Sequence, residues 1–149
     1  SGLYVHPQLP DELREKLVPL ATGITPNAFE FEKIVGRALT TVDATVAAVR
    51  QLLNGRTEWV VVTSAAPEVG DGTESRIVIV TKGGSEVVSW ERIDSAAKGT
   101  GDLFSASVTT ALLSGSSLKA AVNAAHDHVV TVLERTARLN CNELVINET

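Results

Sequence analysis

The stretch Trp59–Thr63, WVVVT in one-letter code, decides the fold class that the sequence predicts. It is a continuous apolar run bounded by polar residues, which is typical of a strand buried on both faces in a parallel sheet. Before it, Val42, Val46 and Val49 recur at helical spacing, and Gly55 is the expected stop signal of that helix. A buried strand that follows a helix indicates an α/β protein, in which helices cover the sheet.

Farther along the chain, Arg76–Thr81 and Glu86–Trp90 are predicted strands, and the glycines between them predict a hairpin at 82–84. Segment 65–75 has little apolar content and is predicted to be a loop. Two or three strands are few for so many helices, which indicates that part of a larger sheet is absent from this chain. The predicted helices lie at 10–20, 27–35, 42–53, 101–113 and 118–139. Asn27 is the predicted N-cap of the second helix and Gly36 its stop signal, and Thr40 and Asp43 form a predicted capping box at the start of the third. An irregular stretch is predicted at 93–99 and a final strand at 144–146.

Composition narrows the class of function. The chain has 149 residues, 44% of them apolar and 21% charged, a length that suits one domain and a composition that is ordinary for a globular protein. The formal net charge is −5 and no cluster of basic residues occurs, which argues against nucleic acid as a partner and favours a small molecule. No apolar run is long enough to span a bilayer, so we expect no membrane partner.

Two single-residue counts add to this. Cys141 is the only cysteine, which excludes an intramolecular disulfide and a cysteine-based zinc site and fits the reducing cytoplasm. Methionine is absent altogether, and the first residues lack the pattern of a signal peptide. We therefore expect the chain to be a fragment of a longer cytoplasmic protein.

The tetrapeptide Gly99-Thr100-Gly101-Asp102 lies at the start of a predicted helix. Glycine lets backbone N–H groups approach a ligand, and a helix N-terminus adds free N–H donors and the positive end of the helix dipole. Such a helix start can bind phosphate oxygens, and a carboxylate in its first turn can take the proton of an attacking hydroxyl. The simpler interpretation is a helix start with an Asp that the dipole favours, and the tetrapeptide alone fits both.

Two pairs of polar residues are candidates for the same site. Asn27 and Glu30 stand three apart at a helix start, where one could contact phosphate and the other Mg²⁺ through water, or both could form a plain capping box. Thr63 and Ser64 follow the apolar strand, and α/β sheets bind ligands at the carboxyl ends of strands, although a polar strand end needs no ligand. Lys98, next to the tetrapeptide, could neutralise phosphate or face solvent.

In this order and spacing, these elements resemble the Asn-x-x-Glu and Gly-x-Gly-Asp motifs of the ribokinase superfamily. Within it, the chain is most similar to pyridoxal kinases, and the resemblance covers nearly its whole length. It implies an α/β fold of the ribokinase-like three-layer sandwich type, present only as its C-terminal portion. The segments that carry it are Leu3-Tyr4-Val5-x-Pro7, Ile24-Thr25-Pro26-Asn27-x-Phe29-Glu30, Trp59–Ser64, Gly99-Thr100-Gly101-Asp102-Leu103-Phe104 and Leu133-Glu134-Arg135-Thr136.

The resemblance implies an ATP-dependent kinase that phosphorylates the 5′-hydroxymethyl group of pyridoxal, pyridoxine or pyridoxamine. Its cofactors would be ATP and Mg²⁺, with K⁺ or another monovalent cation as a further ion. Such chemistry depends on positioning and charge stabilisation more than on covalent catalysis. By this resemblance, Asp102 would be the catalytic base acting on the substrate, and backbone N–H groups of Gly99, Thr100 and Gly101 would form the anion hole for the γ-phosphoryl group. Thr63 and Ser64 would lie at the ATP phosphates or the cation. Asn27 and Glu30 would lie at Mg²⁺ and its waters, and segment 90–98 would lie near the adenine.

Pyridoxal kinases are longer than this chain, and by the resemblance most of their vitamin pocket belongs to a half without a counterpart here. We therefore expect the isolated chain not to phosphorylate pyridoxal. The family tends to form homodimers, which implies a homodimer for the complete protein. Two alternatives stay open: another ribokinase-like kinase, acting on a hydroxymethylpyrimidine or a sugar, and a regulatory or interaction domain that kept the fold and is catalytically inactive.

Overall fold

The computed structural model describes residues 9–65, 74–93 and 97–147. The chain divides into two compact units, Ser1–Arg92 and Ile93–Thr149, and each is described by itself. Most of the predicted loop at 65–75 and part of the predicted irregular stretch at 93–99 lie outside the described residues. Within the described ranges, no helix combines the length and the apolar character needed to cross a membrane.

The first unit contains a four-stranded mixed sheet. Its strands are β1 (Gly23–Ile24), β2 (Trp59–Val62), β3 (Glu74–Thr81) and β4 (Gly84–Glu91), in the spatial order β1-β2-β3-β4. β1 runs parallel to β2, whereas β3 is antiparallel to both β2 and β4. The predicted hairpin is therefore confirmed. The sheet also contains β1, in a segment at 22–25 that is too short to assign from the sequence alone, because so short a strand is defined by its pairing with β2.

The predicted helix at 10–20 is confirmed, although its hydrogen-bonding pattern changes along its length. α1 (Leu9–Glu12) continues as a π-helical turn at Leu13–Leu17 and as a 3₁₀ turn at Val18–Leu20. Pro19 has no backbone N–H, and a proline ring conflicts with the carbonyl four residues earlier. Regular α-helical hydrogen bonding therefore cannot continue through this position.

The next two helices have the predicted extent but differ in one cap. α2 (Ala28–Val35) has Asn27 as its N-cap and ends at Gly36, whose φ of 72° is left-handed, as predicted. α3 (Val42–Leu52) is capped by Thr41, whose hydroxyl accepts a hydrogen bond from the N–H of Ala44 at 3.1 Å. The predicted capping box of Thr40 and Asp43 is wrong, because either of two adjacent threonines suits an N-cap and only the path of the backbone selects one.

The core of the first unit lies on one face of the sheet. Alternate residues of β2 and β3 point to this face, and α2 and α3 cover it. Full burial of one valine or phenylalanine side chain stabilises a fold by about 1.5–3 kcal/mol. The residues that pack together are Phe31, Leu39, Ala48, Val49, Val60, Val62, Ala65, Val78 and Val80. Val61, on the opposite face of β2, is also fully buried, which confirms the prediction of a strand with no exposed face.

The second unit is built on a helical hairpin. α4 (Thr100–Leu113) is followed by a turn at Gly115, with φ of 90°, and by α5 (Leu118–Arg138), whose N-cap is Ser117. Both helices and the break between them agree with the prediction to within one residue. The buried side chains of the hairpin are Phe104, Val108, Ala121, Val122, Ala125, Val132, Leu133 and Thr136.

The predicted final strand at 144–146 is wrong. Its neighbour Glu143 forms a single parallel bridge with Lys98, and no strand follows as far as residue 147, where the described part of the chain ends. The backbone N–H of Val145 bonds instead to the hydroxyl of Thr136, and the carbonyl of Ile146 accepts from the guanidinium of Arg135. Side chains of α5 thus take the hydrogen bonds that a neighbouring strand would have taken.

We expect Gly23→Ala to destabilise the protein. A Cβ atom at Gly23 would lie 2.0 Å from Cε2 of Trp59, so the indole ring on the neighbouring strand would have to move. Overpacking of this kind costs about 1–3 kcal/mol. Chemical denaturation of Gly23→Ala and of Gly84→Ala measures the effect, because a Cβ at Gly84 meets no atom within 4 Å. Equal stability of the two variants would contradict the close contact with Trp59.

Candidate active site

Backbone pairing brings Asn27 and Thr63 side by side at the carboxyl end of the parallel strands. The two residues form a parallel bridge just beyond the β1–β2 pair. The N–H of Thr63 donates to the carbonyl of Pro26 at 3.0 Å, and the N–H of Ala28 donates to the carbonyl of Thr63 at 2.9 Å. Main-chain atoms therefore place these two candidate residues next to each other.

Asn27 and Glu30 form a reciprocal capping box at the start of α2. The amide oxygen of Asn27 accepts from the N–H of Glu30, and Oε2 of Glu30 accepts from the N–H of Asn27, both at 2.9 Å. The interpretation of Asn27 and Glu30 as a capping box is thus confirmed. Glu30 is exposed, and within the described part of the chain its second carboxylate oxygen takes no hydrogen bond. One carboxylate oxygen therefore stays open to a cation or to water.

Ser64, directly after Thr63, has an uncommon backbone conformation. Its φ is 51°, in the left-handed region that non-glycine residues rarely adopt, and its side chain is exposed. Left-handed non-glycine residues cluster at functional sites, where the surrounding structure holds them in place. Here the chain is held on both sides of Ser64, by the bridge of Thr63 and by a 2.9 Å hydrogen bond from the N–H of Ala65 to the carbonyl of Arg76. The two hydroxyls of Thr63 and Ser64 consequently sit at a sharp turn at the end of β2.

The second unit carries the glycine loop, defined here as Lys98–Gly101. Gly99 is the N-cap of α4 with φ of 94° and ψ of 4°, and no side chain among the described residues caps this helix. The other helices of eight or more residues differ, because Asn27, Thr41 and Ser117 each accept a hydrogen bond from the first turn. The first N–H groups of α4 are thus left for another acceptor, as a phosphate site requires.

The remaining residues of the tetrapeptide are accessible. Gly101 and Asp102 are both exposed, and a Cβ atom at Gly101 would meet no protein atom within 4 Å. Packing therefore does not explain a glycine at this helical position, and the backbone here is open to approach from outside. The side chain of Lys98 is exposed while its backbone pairs with Glu143.

The predicted site residues thus fall into two groups. Asn27, Glu30, Thr63 and Ser64 lie together in the first unit at the ends of β1 and β2, and the glycine loop with Asp102 lies in the second unit. The support of the glycine loop was not predicted. Leu144 approaches Gly99 closely, with its Cδ1 3.6 Å from where a Cβ of Gly99 would stand. In the sequence, the only signal of this support is the apolar stretch at 144–146, which predicts a strand instead.

Comparison with known proteins now places the chain in a family. Residues 3–147 match the family model of phosphomethylpyrimidine kinase, and the chain belongs to that family. Over 146 residues it is 42% identical to the pyridoxine/pyridoxal/pyridoxamine kinase of Bordetella bronchiseptica, an alignment that covers 98% of this chain and 52% of that protein. It is 34% identical to the pyridoxine kinase of Bacillus subtilis, covering 91% of this chain and 50% of that protein. The chain thus spans about half the length of the curated relatives it matches.

Solved structures agree on the fold. An ADP complex of Bacillus subtilis pyridoxal kinase is 32% identical, with a TM-score of 0.74, and the match covers 89% of this chain and 50% of that one. The pyridoxal kinase of Entamoeba histolytica matches with a TM-score of 0.84 over 97% of this chain and 51% of that one, at 23% identity, and so supports the fold alone. The predicted ribokinase-like α/β fold is confirmed for the part of it that this chain spans.

The two glycines of the loop should respond oppositely to replacement by alanine. Gly99→Ala should lower the free energy of unfolding by about 1–2 kcal/mol, because an L-residue is strained at a φ of 94°. Gly101→Ala should keep the stability or raise it by up to about 1 kcal/mol, because alanine favours the helical conformation and meets no atom here. Urea denaturation of both variants checks this, and a loss of stability in Gly101→Ala would mean that packing requires that glycine.

Proposed function

We propose that the complete protein transfers the γ-phosphoryl group of ATP to the 5′-hydroxymethyl group of pyridoxal, pyridoxine or pyridoxamine. Residues 1–149 would form the C-terminal part of a single kinase domain and supply its nucleotide site, anion hole and catalytic base. The observation that carries the proposal is the open N-terminus of α4, with a left-handed Gly99 before it and an exposed Asp102 in its first turn. The identity to pyridoxine/pyridoxal/pyridoxamine kinases supports the substrate class.

In this mechanism the glycine loop binds the group that is transferred. Backbone N–H groups of Gly99, Thr100 and Gly101 donate to the oxygens of the γ-phosphoryl group, and the helix dipole of α4 adds positive potential. These donors are fixed before the reaction, so they stabilise the developing charge without reorganising. The absence of a side chain at Gly101 lets the phosphoryl group approach the backbone.

Asp102 is the proposed base. As the hydroxyl oxygen of the acceptor bonds to the γ-phosphorus, the carboxylate of Asp102 takes the hydroxyl proton, and ADP leaves with the electron pair of the broken phosphorus–oxygen bond. General-base catalysis by a positioned carboxylate contributes about 10²–10⁴ in rate. The exposed position of Asp102 in the first turn of α4 leaves it accessible to an acceptor.

The residues at the ends of β1 and β2 suit Mg²⁺ and the phosphates of ATP. Among the described residues, no group of three or more His, Cys, Asp and Glu side chains could enclose a metal ion. Mg²⁺ does not need such a cage, since it is commonly bound by one or two carboxylates, several waters and the substrate's phosphates. The second carboxylate oxygen of Glu30, with Asn27 and the hydroxyls of Thr63 and Ser64, would hold it in this way. When bound, Mg²⁺ neutralises phosphate charge, and K⁺ or another monovalent cation would bind at the same strand ends.

A second candidate is phosphorylation of a hydroxymethylpyrimidine. The specific observation for it is the family model itself, which is that of phosphomethylpyrimidine kinase. Both acceptors carry a hydroxymethyl group on an aromatic nitrogen heterocycle, so the same base and anion hole serve either of them. We favour the vitamin B6 compounds because the curated relatives are named for them.

For the complete protein we further propose a cytoplasmic location and a homodimer.

The proposed function is tested with the complete gene product and MgATP. We expect phosphorylation of pyridoxal, pyridoxine or pyridoxamine at a higher kcat/KM than of hydroxymethylpyrimidine or ribose. Asp102→Asn should lower kcat about 10²–10⁴-fold, because it removes the base and keeps the shape of the side chain. The isolated 149-residue chain should show no turnover of pyridoxal.

Asp43→Asn is the matched control for this variant. Asp43 is also an exposed acidic residue in the first turn of a helix, so its replacement alters the helix dipole interaction alone. We expect it to leave kcat unchanged. Near wild-type turnover by Asp102→Asn would show that Asp102 is not the base, and a preference for hydroxymethylpyrimidine would favour the second candidate.

Two substitutions of Glu30 separate its cap from its proposed role at Mg²⁺. Glu30→Gln keeps an oxygen that accepts from the N–H of Asn27, so stability should fall by less than about 1 kcal/mol, while the Mg²⁺ concentration for half-maximal activity should rise at least about tenfold. Glu30→Ala should show the same Mg²⁺ effect and also lose about 0.5–1.5 kcal/mol of stability, the usual net contribution of one hydrogen bond. Kinetic titration with Mg²⁺ and thermal denaturation measure the two effects. An unchanged Mg²⁺ dependence in both variants would leave Glu30 with a capping role only.

A further inference from the structure

The glycine loop is held by the end of the chain. The C-terminal segment, defined as Glu143–Ile146, pairs with the loop through the backbone bridge between Glu143 and Lys98. Leu144 lies beside Gly99, with its Cδ1 3.6 Å from where a Cβ on Gly99 would stand. The loop needs such support, because Gly99 contributes no side chain and the start of α4 has no side-chain cap among the described residues. Gly101 is held by its place in α4, whereas Gly99, before the helix, is anchored to α4 by one hydrogen bond from the N–H of Leu103 to its carbonyl at 3.0 Å.

The C-terminal segment is held in turn by two adjacent residues of α5. Val145 donates its N–H to the hydroxyl of Thr136 at 3.0 Å. Arg135 donates from Nη1 to the carbonyl of Ile146 at 2.8 Å and to that of Val145 at 3.4 Å. A backbone donor and two backbone acceptors of an irregular segment are thus satisfied by side chains of one helix.

The hydroxyl of Thr136 has a defined orientation. The residue is 1% exposed, and its hydroxyl donates to the carbonyl of Val132 at 2.7 Å while it accepts from Val145. Because the proton points toward Val132, a lone pair is directed at the N–H of Val145. Buried hydrogen bonds of this kind are strongly directional, and an unpaired buried N–H is unfavourable.

We propose that Thr136 and Arg135 are positioning residues for phosphoryl transfer, which hold the glycine loop through the C-terminal segment. The inference rests on the proposed function of the loop as anion hole. A small displacement of a catalytic group, even by a substitution far from the reaction, can reduce the rate by about 10²-fold. The path from α5 to the loop runs through the hydrogen bond of Val145 and the backbone bridge between Glu143 and Lys98, and it restricts such displacement.

The test compares Thr136→Val, Thr136→Ser and Thr131→Val in the complete gene product. Valine keeps the shape of threonine and removes the hydroxyl, and serine keeps the hydroxyl. Thr131 lies on the same helix, and its hydroxyl makes the same type of bond to the carbonyl four residues earlier, at 2.8 Å, with no bond to the C-terminal segment. Two quantities are measured for each variant: hydrogen–deuterium exchange of a peptide spanning 97–104, and kcat and KM with pyridoxal and MgATP.

In Thr136→Val, we expect the backbone amides of the loop to exchange at least about tenfold faster than in the wild type. We expect kcat to fall about 10- to 100-fold, with a smaller change in the KM of pyridoxal. Thr136→Ser and Thr131→Val should resemble the wild type in both measurements. If Thr136→Val does not fold, Leu144→Ala, which shortens the side chain that lies beside Gly99, decides by the same measurements.

The exchange measurement separates this inference from the proposed function. Unchanged exchange of the loop in Thr136→Val, or an equal effect in Thr136→Ser, overturns the positioning role even if the protein phosphorylates pyridoxal. Conversely, if the wild type transfers no phosphoryl group to pyridoxal and Thr136→Val still loosens the loop, the positioning role stands and the proposed function fails.

Discussion

Val60, Val61 and Val62 of β2 are at most 1% exposed, and both edges of the strand are hydrogen-bonded, to β1 on one side and to β3 on the other. A strand in this position has no freedom of register, because a shift by one residue would exchange its two buried faces and break both ladders. The position of Thr63 at its end follows directly. The bridge between Asn27 and Thr63 then sets where α2 begins, and with it the position of Glu30.

The starts of α2 and α4 differ in whether side chains accept hydrogen bonds from their first N–H groups. Every helix begins with N–H groups that have no partner inside the helix. At α2, Asn27 and Glu30 satisfy two donors reciprocally, which stabilises the helix and keeps one carboxylate oxygen available. At α4, Gly99 has no side chain to accept a hydrogen bond, so the first N–H groups of the helix remain available. The conformation of the loop then depends on the residues around it and not on a cap.

The errors of the sequence analysis share a cause. Thr40 and Thr41 are equivalent as N-caps in the sequence, and the backbone path selected Thr41. The apolar stretch at 144–146 has the composition of a strand, but its backbone groups bond to side chains of α5 instead. β1 was too short to predict because its evidence is its pairing with a segment 36 residues farther along, Gly23 with Trp59. In each case the deciding contact is distant in the sequence.

The sequence by itself determined the elements whose signals are local. It specified the buried strand β2, the hairpin, the two long helices, the capping box of Asn27 and Glu30 and the glycine loop, because apolar periodicity, glycine and capping residues act within a few positions. Only the tertiary structure decided that Asn27 and Thr63 are neighbours, that Ser64 is left-handed and that Glu143 pairs with Lys98 beside Gly99. These features depend on hydrogen bonds and contacts between distant segments, which become defined only when the chain has packed.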